Sequence, residues 1–256
     1  MLSVTAQRSI TPAQDRFYEI SAILMALVLV AGFSLQLAAG RSSFAAPPLV
    51  HAHAIVFFGW VVIYVAQTFL ATRGNLALHR PLGWIAAGWT IAMVVLALVL
   101  MVMKVRTGTT PPIFQPQHFL IANPIAILTF AGLTAAAIVM RRRTDWHRRL
   151  HFCAMAALLG PGFGRLLPMP LLIPWGYQIA YLCGLLFPIA GMLLEQRRNG
   201  QVHRAWYWGL GALLLALLAT EIIAISPLGR SIYDGVAAGS PGADIAPMEF
   251  GMRPPA

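Results

Sequence analysis

The chain has 256 residues, of which 59% are hydrophobic and only 10% charged. A soluble domain carries about 25% charged residues, so the composition excludes an ordinary soluble fold and indicates a helical bundle facing lipid. The net charge of +10 comes from arginines in short loops between apolar runs, a pattern of membrane topology control and not of a nucleic-acid surface.

A membrane helix needs about 20 mostly apolar residues. In chain order the candidates are 17–37, 50–71, 82–103, 119–140, 150–167, 172–194 and 206–225. The first is longer than the ~7–15-residue core of a secretory signal and reads as a retained helix. Asn123-Pro124 interrupts the fourth run near its start. The fifth is the shortest, and Gly160-Pro161-Gly162-Phe163-Gly164-Arg165 should kink it. The expectation is an all-α, seven-helix transmembrane bundle over 17–225, preceded by a tail at 1–16. The stretch 226–256, rich in Gly, Pro and Ala, is expected to be a flexible outer extension.

Orientation follows from the basic residues. Loops on one side carry Arg8, Arg16, Arg73, Arg80, Arg141, Arg142, Arg143, Arg148, Arg149, Arg197, Arg198 and Arg204. The other side carries Arg41, Lys104, Arg106, Arg165, Arg230 and Arg253. The richer side should be cytoplasmic, which puts the N-terminus in the cytoplasm and the C-terminus in the periplasm of a bacterial inner-membrane protein. A retinal protein is excluded, because the only lysine, Lys104, lies in a loop and not in the last helix. Cys153 and Cys183 sit singly inside apolar runs, so neither a disulfide framework nor a thiol-redox motif is expected.

The seven histidines carry the chemistry. All lie near helix ends, with His51, His53 and His118 at the outer face and His79, His147, His151 and His203 at the inner one. His147 and His151, spaced i, i+4, share one helix face. His51 and His53, spaced i, i+2, point to nearly opposite sides, and His53 is the one further into its span. A repeat relates His53…His79-Arg80-Pro81-Leu82 to His118…His147-Arg148-Arg149-Leu150. It pairs His53 with His118 outside and His79 with His147 inside. Cationic groups at a helix start are disfavoured by the helix dipole. A neutral imidazole is cheaper there and is the form that binds metal or haem. The same residues also fit plain interfacial histidines.

Glu221 in the seventh run and Arg165 ending the fifth are the charged groups furthest inside spans, both toward the outer face, where they are able to pair. With so few membrane carboxylates, a proton-coupled transporter is disfavoured.

Two resemblances extend this reading. The blocks His51-Ala52-His53, Phe58, Trp60, Gln67 and His79-Arg80-Pro81-Leu82-Gly83, with His147-Arg148-Arg149-Leu150 and Arg165, resemble a family of uncharacterised bacterial multi-pass integral membrane proteins. That implies fold and location but no reaction. In arrangement alone, one histidine per helix over helices two to five resembles the di-haem transmembrane cytochromes b. That implies cofactor-binding roles for His53, His118, His79, His147 and His151, with haem b the leading cofactor and a bare metal ion the variant. Function is therefore expected to be haem- or metal-dependent redox chemistry, with a membrane redox partner or a second copy of the chain. The alternative is a cofactor-free transporter or assembly factor with a cavity at Arg165 and Glu221.

Overall fold

The computed structural model describes residues 12–251, so the inner tail expected at 1–16 lies mostly outside the described residues. These residues form helices α1 Pro12–Ala38, α2 Pro48–Thr72, α3 Leu76–Arg106, α4 Pro116–Val139, α5 Thr144–Ala157, α6 Gly160–Leu166, α7 Gly176–Asn199, α8 Arg204–Ala224 and α9 Pro227–Ala237, with two short 3₁₀ turns and no strand. The all-α expectation holds for them. The helix starts follow local chemistry. Proline occupies the first turn of α2, α4 and α9, where its missing N–H costs nothing. Asn75 caps α3 and Ser226 caps α9 with side-chain oxygens.

Among the described residues six helices, not seven, are long and apolar enough to cross a membrane: α1, α2, α3, α4, α7 and α8. The expected fifth span is two short helices, α5 and α6, broken at Leu158–Leu159. Pro161 in the first turn of α6 lacks the N–H that a continuous helix needs. Together α5 and α6 reach about 30 Å at 1.5 Å per residue. The pair runs from the arginine-rich face, where His147 meets His79, toward the opposite face, where Arg165 lies over Phe33. It escapes the composition of a membrane span because α5 is wrapped by α4, α7 and α8. Its residues Phe152 to Ala157 are all buried, so Asp145, His147, Arg148, Arg149 and His151 can ride on a helix that barely meets lipid.

The bundle is apolar outside and close-packed inside. Ile55, Val62, Trp84, Ile91, Leu215 and Ile222 face outward, while Met25, Met93, Phe130, Phe152, Met155 and Trp206 are fully buried. Lipid offers no hydrophobic drive between helices, so close packing and polar bonds hold them together. The α1–α6 contact shows this: a Cβ on Gly32 would stand 2.6 Å from the Gly162 carbonyl oxygen.

Where a loose outer extension is expected, the chain is folded onto the bundle. Tyr233 of α9 is buried and donates its hydroxyl proton to the Gly242 carbonyl at 2.9 Å. The Pro247 carbonyl accepts from the Gln117 amide at 2.9 Å, and the Met248 carbonyl from the Gln115 side chain at 2.8 Å. Glycine- and proline-rich composition here encodes tight turns, with Gly239 at φ 63°, and not disorder.

Candidate functional site

At the arginine-rich face, α3 and α5 bring three histidines together. The rings of His79 and His147 have centroids 6.2 Å apart, and those of His147 and His151 are 4.7 Å apart. His147 Nδ1 donates to the Ala137 carbonyl at 2.8 Å, one of the last carbonyls of α4, which has no partner within that helix. The bond fixes the tautomer and leaves Nε2 with a free lone pair. Metal-ligating histidines are oriented by this kind of hydrogen bond to a backbone carbonyl. His79 is placed by Gln67 of α2, whose side-chain amide donates to the His79 carbonyl at 3.1 Å. Gly83 leaves the room that this needs, since a Cβ there would come within 3.2 Å of the Gln67 amide nitrogen. His79 Nδ1 and Gln67 Oε1 are both buried without a hydrogen-bond partner. Among the described residues, no group of three or more His, Cys, Asp or Glu side chains is disposed to hold a metal ion by itself.

The outer histidines do not form the matching pair. His118 Nε2 donates to Glu221 Oε1 at 3.0 Å, and its ring meets the edge of Tyr177 at 4.7 Å. Gln178 donates to the other carboxylate oxygen at 2.9 Å. His53 instead stacks on Phe57, one turn along its own helix, at 4.0 Å, with Nδ1 buried and unpartnered. No ring contact or hydrogen bond joins His53 to His118. Arg165 and Glu221 likewise do not pair: Arg165 Nη1 donates to the Pro161 carbonyl, its own helix's first turn, at 2.9 Å. Glu221 is committed to the partners brought by α4 and α7.

A second cluster at the arginine-rich face was not legible in the sequence. Arg149 of α5 forms a buried two-pronged ion pair with Glu195 of α7. Glu195 Oε2 also accepts from the Trp206 indole at 2.7 Å and from the His203 backbone N–H at 3.3 Å. One carboxylate thus ties α5, α7 and α8. The start of α5 reads as a positive-inside anchor, and Glu195 falls one residue past the expected sixth span. The signal was the cost of arginine at a helix start, which calls for an acid nearby.

His203 and His51 have structural partners. His203 Nδ1 accepts from the Ala205 N–H at 3.1 Å and caps α8, and Nε2 lies 2.6 Å from Asp145 Oδ2. A nitrogen that accepts the cap bond cannot carry a proton, so the arrangement suits neutral imidazole with Nε2–H donating to Asp145. Burial, reinforced by the Arg149 guanidinium, holds the His203 pKa below its usual 6.5, and Asp145 only partly offsets them. His51 Nε2 donates to the Phe44 carbonyl at 3.1 Å in an exposed position.

No family model, curated protein or solved structure matches this chain.

Proposed function

We propose that this is a bacterial inner-membrane protein that binds haem b through His79 and His147 at its cytoplasmic face. His151, one turn deeper, lines the site. The observation that carries the reading is the His147 ring, oriented by the Ala137 carbonyl with Nε2 left free, facing a second imidazole whose centroid is 6.2 Å away. His79 from α3 and His147 from α5 would together hold the haem. A bare metal ion needs three or four protein ligands, and no such group is present among the described residues. Haem needs only one or two axial ligands, because the macrocycle supplies the others, so it fits this donor set better. The unpartnered His79 Nδ1 and Gln67 Oε1 fit a site shaped for a further group.

Bound there, haem supplies one-electron chemistry. The Ala137 carbonyl and Gln67 position His147 and His79, and Arg80, next to His79 and exposed at the same face, would offer a counter-charge to the propionates. A membrane redox partner would be the other party to that chemistry. The separation of His53 from His118 reduces the two-haem arrangement suggested by the sequence to a single inner site.

The test is purification in mild detergent after expression with haem supply. The wild type should show visible haem absorbance at about one haem per chain. His147→Ala should lower haem content at least tenfold and His51→Ala should leave it unchanged, with both eluting as folded protein. Equal haem content in wild type and His147→Ala would overturn the assignment.

A further inference from the structure

On the face opposite the histidine cluster, Arg165 is an arginine without an acid. Arg73, Arg149 and Arg230 each lie against a carboxylate, from Glu19, Glu195 and Asp234. Among the described residues, no carboxylate lies against Arg165. Its Nη1 is used by Pro161, its Cζ lies 4.0 Å from the centre of the Phe33 ring, and its own carbonyl accepts from Gln36 at 3.1 Å. The first two hold the side chain and the third its backbone, and among the described residues the Nε–Nη2 edge has no protein acceptor. That edge is the side of the guanidinium fork that binds an oxyanion through two parallel hydrogen bonds. An uncompensated charge in a membrane bundle is costly and calls for a partner.

A second donor points to the same place. His53 of α2 holds a buried Nδ1 with no hydrogen-bond partner. Phe33, under the guanidinium, meets Phe58 of α2 edge-on at 5.3 Å, and His53 stacks on the neighbouring Phe57. Helices α1, α2 and α6 therefore form one wedge around both groups. Its depth suits a charged guest: Gln36, bonded to Arg165, is two residues from the end of α1, about 3 Å along the axis.

We propose that Arg165 and His53 form an anion site between α1, α2 and α6 that binds a phosphate oxyanion, either of a lipid headgroup or free in solution. The guanidinium edge takes two oxygens and the His53 imidazole a third. The site is separate from the histidine cluster and does not depend on haem.

The experiment is thermal unfolding of the full-length protein with two probes. One arm titrates inorganic phosphate in neutral detergent. The other titrates phosphatidylglycerol into phosphatidylcholine nanodiscs. A saturable rise in Tm is expected in at least one arm: phosphate alone assigns a free anion, phosphatidylglycerol alone a lipid headgroup, and both a site open to either. Arg165→Gln should weaken the apparent affinity at least tenfold and His53→Ala at least threefold, whereas Arg230→Gln should not change it. If Arg165→Gln does not fold, Arg165→Lys keeps the charge without the fork and should still weaken binding about tenfold. The proposal is overturned if neither probe shifts Tm, or if Arg165→Lys and His53→Ala bind as the wild type does.

Discussion

His203 shows how one side chain can report the state of the inner face. Its Nδ1 caps α8 only while unprotonated, and its pKa is held below 6.5. A proton therefore binds the unfolded chain more readily than the folded one, and the stability that the neutral ring contributes is present above pH 6.5 and lost as pH falls below it. The wild type should lose Tm between pH 7.5 and pH 5.5. His203→Asn, which keeps a neutral cap, should lose less over the same range, and parallel curves would refute the cap. Glu195 sets a larger energy. Removing it by Glu195→Ala leaves the buried Arg149 without its counter-charge, which costs about 3–5 kcal/mol. A thermal melt in detergent should fall by about 10 °C. The double change Arg149→Met with Glu195→Leu should recover most of that loss, because replacing both charges removes the desolvation penalty.

At the scale of elements, close packing through small residues decides how helices meet. A Cβ on Gly209 of α8 would collide with the Cys153 sulfur of α5, whereas one on Gly211 meets nothing within 4 Å. Gly209→Ala should therefore destabilise the fold by about 1–3 kcal/mol through overpacking. Gly211→Ala should stabilise it by about 0.5–1 kcal/mol through helix propensity. Equal effects in thermal melts would contradict the α5–α8 contact. The six continuous helices were readable from apolar run length alone. The fifth, expected as one kinked span over 150–167, is instead two short helices, because a segment enclosed by protein need not be a continuous apolar helix like one that faces lipid. The tail at 226–251 was misread for a related reason: its glycines and prolines are turn residues around the buried Tyr233. Composition alone does not separate a tight strap from a loose one.

For the whole molecule, the sequence made the inner half of the candidate site legible and the outer half not. The i, i+4 spacing of His147 and His151 and the approach of His79 follow from helix geometry and short loops. The expected outer pairs depended on lateral positions within the bundle, which no spacing encodes. His118 is instead drawn to Glu221, the acid available to it on α8, while His53 stacks on Phe57 of its own helix. The proposed orientation, with the arginine-rich face cytoplasmic, predicts that a phosphatase domain fused after residue 256 is active in the periplasm. The same domain fused before residue 1 should be inactive, and the reverse result would invert the placement of both sites.

The most direct measurement is the visible spectrum and haem content of the folded protein in mild detergent, wild type beside His147→Ala. Haem at about one per chain in the wild type, lost in the variant, is the predicted result. A folded wild-type protein that remains colourless after expression with haem supply would contradict the assignment.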